Sequence, residues 1–226
     1  MKKIIKFLMC LPNTIYLNFK VFPIKTAIKF PVFIGGGVKP HNLYPGCIIL
    51  PSKIYPNMIS FGIVEGTVGI PLDKENGSIN FGRFKGKLIF QGKAQFAKGV
   101  NISVRSGTIE FGNNFSSNRS FFLASANNIK FGENVLCGDH VSIRDMDGHP
   151  FYYLTDLTNP VNEPKAITIE DHVWICSHVD ILKGTKISKD SIVGYRSLVT
   201  NVFDETNVIV AGSPAKIIKK NIQWRY

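Results

Sequence analysis

The chain has 226 residues, of which 44% are hydrophobic and 19% are charged, so it is long enough for one sizeable core or two small ones. Its net charge of +11 favours anionic partners, but the lysines are spread along the chain and no helix-turn-helix, zinc-finger or RNA-binding pattern occurs, so nucleic acid is not an expected partner. The four cysteines are widely spaced and include no CxxC pair, which argues against a disulfide framework or a zinc knuckle and favours a reducing cytosol.

The N-terminal segment combines a basic start with a short apolar run. Pro12, Asn13 and Thr14 interrupt this run and no small-residue cleavage site follows, so we do not expect a cleaved signal peptide. No run approaches the ~20 apolar residues needed to span a bilayer. The lysines among the apolar residues leave two alternatives open: contact with an anionic membrane face, or packing of the segment on its own domain. These lysines are Lys2, Lys3, Lys6, Lys20 and Lys25.

Residues 1–60 as a whole are rich in proline and phenylalanine. We predict that they form an irregular N-terminal extension, which covers one end of the fold that follows.

Apolar residues recur at intervals of six over much of the remaining chain. In the C-terminal half, one column is Ile169, Ile175, Ile181, Ile187, Val193 and Val199, and its companion is Ile167, Val173, Val179, Thr185, Ser191 and Ser197. Upstream, the same spacing gives Phe111, Ser117, Leu123, Ile129, Val135 and Val141, with Phe131, Cys137 and Ile143 as companion. A period of six is neither the ~3.6 of an amphipathic helix nor the period of about two of a long strand.

A six-residue repeat with an inward apolar residue, often followed by a small or polar one, indicates a short strand and a corner. Examples are Phe111-Gly112, Phe131-Gly132 and Cys137-Gly138. Three such units close a triangular coil, so the pattern predicts an all-β solenoid. It resembles the left-handed parallel β-helix of the hexapeptide-repeat proteins from about Ile79 onward. We expect this β-helix at residues 61–210, with irregular early coils over 78–112 and a short C-terminal cap at 211–226.

The repeat stops at RDMDGHP, which begins at Arg144, and it resumes at KAITIEDHVWI. We therefore predict an inserted loop at about residues 145–165. Gly148 allows a tight turn next to His149, and Pro150 fixes the exit from that turn.

The last coils are similar to those of the acetyl-CoA-dependent O-acetyltransferases of the galactoside and maltose type, and of the enzymes that acetylate bacterial capsule and O-antigen sugars. Three motifs carry the resemblance: Trp174-Ile175-Cys176-Ser177, Gly194-Tyr195-Arg196-Ser197 and Ala211-Gly212-Ser213-Pro214-Ala215-Lys216. Two departures stand out, because Cys176 replaces the usual glycine and Tyr195-Arg196 is bulkier than the usual Ala-Gly. The pantetheine channel can therefore have a different shape here.

The resemblance implies that the inserted loop carries a catalytic histidine and reaches toward a neighbouring subunit of a homotrimer. Acyl transfer to a sugar hydroxyl needs a base with a near-neutral pKa, and His149 is the candidate general base. Asp145 and Asp147 are candidates for orienting its imidazole or binding acceptor hydroxyls, although they can equally well cap the turn. In the segment NNFSSNRS, the family's acceptor-site asparagine falls on Asn118, a candidate donor to the oxyanion.

Coenzyme A carries a pyrophosphate and a 3′-phosphate, so a protein groove that binds acetyl-CoA needs cationic side chains. Lys216 in the closing segment is the first candidate, with Lys219 and Lys220 behind it. Where the family lines the pantetheine, this chain has Ser177, Tyr195 and Thr200. Trp174 can contact the cofactor or pack in a subunit interface.

Three other functions are possible on this fold, and the sequence favours each of them less. A carbonic anhydrase on the same solenoid needs three histidines around zinc, but the H-x4-H spacing is missing and no metal is expected. A non-catalytic solenoid scaffold would need neither the loop histidine nor the AGSPAK closure. An amino-sugar N-acetyltransferase would use the same cofactor and a similar base. The preferred interpretation is an O-acetyltransferase of a bacterial surface polysaccharide or its precursor, in the cytoplasm or at the inner face of the membrane.

Overall fold

Three parallel sheets form the faces of a solenoid in the computed structural model, which describes residues 2–35, 37–64 and 76–225. The first sheet contains β1 (Val32–Ile34), β4 (Ile59–Val64), β7 (Ala94–Ala97), β10 (Phe115–Ser117), β13 (Leu136–Cys137), β16 (Trp174–Ile175), β19 (Ile192–Val193), β22 (Val208–Gly212) and β23 (Ala215–Lys220). The second contains β2 (Val38–His41), β5 (Gly77–Phe81), β8 (Asn101–Val104), β11 (Phe122–Ser125), β14 (Ser142–Arg144), β17 (Asp180–Leu182) and β20 (Leu198–Val199). The third contains β3 (Ile48–Ile49), β6 (Lys87–Phe90), β9 (Thr108–Phe111), β12 (Asn128–Phe131), β15 (Ile167–Ile169), β18 (Lys186–Ile187) and β21 (Val202–Phe203).

From β1 to β22, successive strands along the chain belong to successive sheets, so each coil has three corners. We call the turn from the first to the second sheet the first corner, that from the second to the third sheet the second corner, and that from the third back to the first sheet the third corner. In the last coils Trp174 pairs with Ile192, eighteen residues later, as six-residue units require. The left-handed parallel β-helix predicted from the repeat is confirmed.

The early coils are regular but longer. Ser116 pairs with Leu136, twenty residues later, and with Gln95, twenty-one residues earlier. The additional residues lie in the second corner, since β11 and β12 are linked through Ser125-Ala126-Asn127 while the strands themselves stay in register. The looseness predicted for residues 78–112 therefore reflects larger corners rather than broken strands.

Both columns of the six-residue repeat point inward, and every member of the columns is buried. In the early coils phenylalanines fill the interior: the rings of Phe90, Phe111 and Phe131 stack in sequence with centroids 5.1 Å apart at each step. Each aromatic pair contributes about 0.5–1.5 kcal/mol beyond the burial of its surface. Stacking along the solenoid axis therefore ties one coil to the next.

The N-terminal segment is helical, with α1 at Lys2–Val21 and α2 at Ile24–Ala27. Thr14 and Asn18 lie buried on the inner side of α1. The backbone N–H of Ile34 donates to Thr14 Oγ1 (3.0 Å), and Asn18 Nδ2 donates to the carbonyl of Val32 (2.6 Å). Side chains of α1 thus occupy the hydrogen-bonding edge of β1.

The structure differs from the sequence prediction in this region. Strands β1 to β4 join the three sheets, so the solenoid begins at Val32 rather than after residue 60, and the segment before it is a helix rather than an irregular extension. Pro12 does not interrupt the helix, because it lies on the exposed side of α1. Proline has no N–H to donate to the carbonyl of Leu8, one turn earlier, but water can bind this carbonyl instead. At the other end, β22 and β23 form an antiparallel hairpin that begins at Val208, inside the predicted β-helix, and overlaps the cap predicted at 211–226.

Among the described helices, none has the length and apolar character to cross a membrane.

Candidate active site

The predicted loop leaves the solenoid at the second corner, between β14 and β15. Ile143 in β14 pairs with Ile181 in β17, thirty-eight residues later, so this coil holds about twenty residues more than the eighteen of its successors. The strands on both sides keep their register, and the insertion therefore projects from a continuous solenoid.

Asp145 opens the loop and is completely buried. Its carboxylate accepts hydrogen bonds from Ser125 Oγ (2.7 Å), the backbone N–H of Ala126 (2.7 Å) and the backbone N–H of Asn127 (3.0 Å). Its carbonyl accepts from the N–H of Lys165, at the other end of the loop. Asp145 thus ties the enlarged corner of the preceding coil to the base of the loop and has no surface for a substrate.

Asn162 organises the interior of the loop and is almost fully buried. Its Nδ2 donates to Asp147 Oδ2 and to the carbonyl of His149, both at 2.9 Å, and its Oδ1 accepts from the N–H of Phe151 (3.0 Å). Lys183, from the next coil, donates to Asp147 Oδ2 and to the carbonyl of Asn162. These contacts fix the backbone on both sides of His149.

The hydrogen bond from Lys183, followed by that from Asn162, holds the pKa of Asp147 below its ordinary value. Asp147 is therefore ionised at neutral pH and makes an ion pair with Lys183. Both described partners of its carboxylate, Lys183 and Asn162, are side chains of this chain, so the structure gives Asp147 a role in holding the loop.

His149 is exposed, and its imidazole has no hydrogen-bond partner among the residues that the structure describes. It lines a cavity of about 250 Å³ together with Met146, Asp147 and Glu163 from the loop and Arg105 from the second corner. Arg105 Nη1 donates to the carbonyl of Gly148 at 3.4 Å. The arrangement presents an accessible base on a constrained backbone, beside a cavity that the guanidinium of Arg105 also lines.

The tip of the loop is apolar and exposed. Its exposed hydrophobic residues are Phe151, Tyr152, Tyr153, Leu154, Leu157 and Val161, and Leu154 reaches 96% exposure. Asp156 closes the tip with hydrogen bonds from Thr158 and Asn159, which lower its pKa. A contiguous apolar surface of this kind is typical of a contact with another protein surface.

Asn118 lies at the first corner, directly after β10, and its N–H donates to the carbonyl of Cys137. His149 projects from the second corner. The two predicted catalytic residues therefore lie at different corners of the same chain.

A polar and aromatic column occupies the first corner of the later coils. The imidazole rings of His140 and His178 stack with centroids 4.7 Å apart, Tyr195 meets His178 edge-on, and the guanidinium of Arg196 lies over the Tyr195 ring. Ser177 Oγ accepts from the N–H of Asp139 at 3.1 Å. Within the described ranges, no group of three or more histidine, cysteine or acidic side chains could hold a metal ion.

No protein-family model matches the sequence. Among curated proteins, the putative lipopolysaccharide biosynthesis O-acetyltransferase WbbJ of Escherichia coli K12 is 31% identical over 157 residues, which is 65% of this chain and 74% of WbbJ. The chain belongs to the hexapeptide-repeat O-acetyltransferase family. Galactoside O-acetyltransferase of E. coli K12 is 34% identical over 125 residues, or 55% of this chain and 57% of that enzyme. Polysialic acid O-acetyltransferase of Neisseria meningitidis is 36% identical over 107 residues, or 47% and 49%.

Among solved structures, the polySia-specific acetyltransferase NeuO superposes with a TM-score of 0.51 at 24% sequence identity, covering 84% of this chain and 79% of NeuO. This likeness supports the solenoid fold of the family.

The cofactor residues implied by the family resemblance fall into two groups. Ser177 and Tyr195 lie in adjacent coils at the first corner, where the N–H of Arg196 donates to the carbonyl of Ser177 (3.2 Å). Lys216 pairs with Ala211 near the same corner. Thr200 instead follows β20, at the second corner.

Two further cofactor candidates lie on the first sheet. Lys219 pairs with Ile209, farther from the first corner than Lys216. Trp174 is half-buried on the outside of the sheet, 5.9 Å from the Trp224 ring, which itself stacks on His172. Trp174 therefore packs against the C-terminal tail of its own chain.

Sequence reasoning missed Asn162, Lys183 and Arg105. Asn162 and Arg105 belong to no repeat position and lie 13 and 44 residues from His149, so no local pattern links them to it. The position of Lys183 in the repeat is one weak signal. Lys183 begins the second corner one coil after the loop, and a long side chain at this position can reach the loop residues of the preceding coil.

Proposed function

We propose that the protein is an acetyl-CoA-dependent O-acetyltransferase that acts on a sugar hydroxyl of a bacterial surface polysaccharide or its precursor. His149 is the general base, and each site lies between two subunits of a homotrimer. The observation that carries this proposal is the exposed imidazole of His149, held at the rim of a cavity by a loop whose backbone is fixed through Asn162 and Lys183.

The chemistry requires one proton to move twice. His149 accepts the proton of the acceptor hydroxyl while that oxygen attacks the thioester carbonyl, and the imidazolium then returns the proton to the sulfur of the departing thiol. Asn118 is the proposed donor to the oxyanion that develops on the carbonyl.

The first corner and the terminal hairpin have groups suited to coenzyme A. Lys216 and Lys219 are exposed and have no carboxylate partner in the described part of the chain, whereas Lys220 is paired with Glu205. Free cations of this kind match the phosphates of the nucleotide end. Ser177 and the exposed ring of Tyr195 then line the pantetheine, and bulky Tyr195 narrows the channel relative to the usual alanine.

A site between subunits is supported by two features. Asn118 and His149 lie at different corners of one chain, so a second chain is needed to bring one of each together. The apolar loop tip gives a surface on which a neighbouring solenoid can pack.

The names of the relatives support the proposed acceptor class. WbbJ is described as a lipopolysaccharide biosynthesis enzyme, and other relatives act on polysialic acid or galactosides. We place the reaction on a polysaccharide or its sugar precursor in the cytoplasm, at or near the inner face of the membrane.

The test is release of free thiol from acetyl-CoA, with and without a panel of sugars and bacterial glycans that includes amino sugars. We expect release to require a hydroxyl acceptor, and His149→Ala to lower kcat/KM by about 10²–10⁴-fold. His41→Ala, which changes an exposed histidine on β2, is the matched control and should retain activity. Turnover of amino sugars alone would indicate an N-acetyltransferase, and no binding of acetyl-CoA would indicate a scaffold.

Complementation tests the subunit interface. His149→Ala and Asn118→Ala chains should each be inactive, but trimers reassembled from an equal mixture should regain about a quarter of the wild-type sites, because each site needs one intact residue from each of two chains. Sites formed within one chain would regain nothing. Light scattering of the wild type should independently give the mass of three chains.

A further inference from the structure

The positive charge of the chain is concentrated at its N-terminus. The first 64 residues contain eight lysines and no acidic residue, whereas the remaining 162 contain nineteen basic and sixteen acidic residues. Most of the net charge of +11 therefore belongs to the two helices and the first coil. Such a segment attracts an anionic surface without help from the rest of the molecule.

The helix α1 has two different faces. Its inner face, with Leu17 and the two polar residues that bind β1, is buried against the first coil. Its outer face exposes Leu8, Ile15 and Phe19, which are spaced by seven and four residues and so share one side of the helix. Tyr16 lies next to them and is also exposed. Apart from an edge-on contact between Phe19 and Phe30 (ring centroids 6.1 Å), the described part of the chain leaves this apolar outer face exposed.

The short helix α2 extends this surface. Ile24 and Ile28 are one turn apart and strongly exposed, at 71% and 59%. Lys25 and Lys29 are exposed beside them, and Lys20 is exposed at the end of α1. Among the described residues, apolar and basic side chains thus cover the outside of α2 and of the C-terminal half of α1, and neither helix contains an acidic residue.

We propose that α1 and α2 dock the protein on an anionic lipid surface. The isoleucines and aromatic residues would enter the boundary between head groups and acyl chains, and Lys20, Lys25 and Lys29 would contact the head groups. A second copy of the chain is a poorer occupant of this face. An isologous contact would bring two sets of lysines together, and a heterologous contact would set the lysines against the rest of the chain, which is itself slightly basic. Docking goes beyond the proposed acetyl transfer and would concentrate the enzyme near membrane-bound acceptors.

The experiment is co-sedimentation of the full chain with vesicles, without acetyl-CoA or acceptor. We expect binding to vesicles of phosphatidylcholine mixed with phosphatidylglycerol, weak binding to phosphatidylcholine alone, and loss of binding at high salt. The triple variant Lys20→Gln, Lys25→Gln, Lys29→Gln should bind at least tenfold more weakly, since each lysine near the surface contributes up to about fivefold.

The matched control removes the same charge from the third sheet and its corner, with Lys87→Gln, Lys130→Gln and Lys189→Gln. These residues are exposed and distant in sequence from the helices. This variant should bind within about twofold of the wild type, since only charges close to the lipid surface contribute strongly. An equal loss in both triple variants would overturn the proposal, because binding would then depend on overall charge.

The apolar contribution is tested separately with Ile15→Ser combined with Ile24→Ser. We expect this variant to keep its unfolding midpoint and to lose vesicle binding, whereas Phe84→Ser, at an exposed site on the solenoid, should not. Normal vesicle binding by the helix variant would refute the proposal. The proposal would also be refuted if light scattering showed that the helix variant forms a smaller assembly than the wild type, because the outer face of the helices would then join copies of the chain. Acetyl transfer to a soluble acceptor should be unchanged, which separates this result from the proposed function.

Discussion

Removing the Asp145 carboxylate should destabilise the protein more than any other change in the loop. Its oxygens accept one hydroxyl and two backbone N–H groups, and the side chain is inaccessible to water. Asp145→Ala leaves these donors without partners. Hydrogen bonds to a charged acceptor contribute about 1.5–3 kcal/mol each, and relaxation of the corner recovers part of the loss. We expect the free energy of unfolding to fall by about 3–5 kcal/mol.

Asp145→Asn gives an intermediate case. The amide keeps one acceptor oxygen, but its NH₂ group must face a backbone N–H, so we expect a loss of about 1–3 kcal/mol. Asp180→Ala is the control, since this aspartate is exposed on β17, directly beside β14, and should change stability by less than about 0.5 kcal/mol.

The assay is urea denaturation followed by tryptophan fluorescence at one fixed chain concentration, because assembly shifts the midpoint by mass action. If Asp145→Ala proves as mild as Asp180→Ala, the carboxylate does not hold the corner, and our account of the loop base is wrong.

Two further predictions concern the loop and the tail. Because the pKa of Asp147 is lowered, its ion pair should stabilise the folded chain fully above the ordinary carboxyl pKa of 3.8 and lose this effect as the pH falls through the lower folded value. Lys183→Met should therefore raise the pKa of Asp147 in a carboxyl NMR titration, and an unchanged pKa would contradict the pairing. Trp224→Ala removes the ring that stacks on His172 at 4.2 Å and the Nε1 hydrogen bond to its carbonyl, and should cost about 2–4 kcal/mol in urea denaturation. Trp224→Phe should cost about 1 kcal/mol, and equal losses would show that the stacked ring contributes little.

The solenoid could be predicted because each coil repeats one physical requirement. An inward residue such as Ile181 must be apolar, its equivalents in neighbouring coils must be apolar too, and the period survives in the sequence. The N-terminal helix could not be predicted in the same way. Pro12 is a strong local signal against a helix, but its cost is small where the freed carbonyl faces water, and the tertiary contacts of Thr14 and Asn18 outweigh it.

The loop shows the same limit. The position of His149 follows from the break in the repeat, but the role of Asp145 depends on a corner enlarged in the coil below, which the sequence does not reveal. Candidate substrate contacts such as Asp145 and Asp147 are typical turn residues as well, and only their partners distinguish the two roles. Asn162 lies in a segment without any period, so its contacts could be found only in three dimensions.

A parallel solenoid has no internal rule that limits its number of coils, because every coil presents the next one with a template of unpaired backbone groups. Thr14 and Asn18 give β1 the hydrogen bonds that a further coil would supply, but they come from a helix, which cannot pass the pattern on. The two side chains therefore act as a stop to growth. A chain without them would leave β1 open to the strand edge of another molecule, and association through this end of the solenoid would be the expected result.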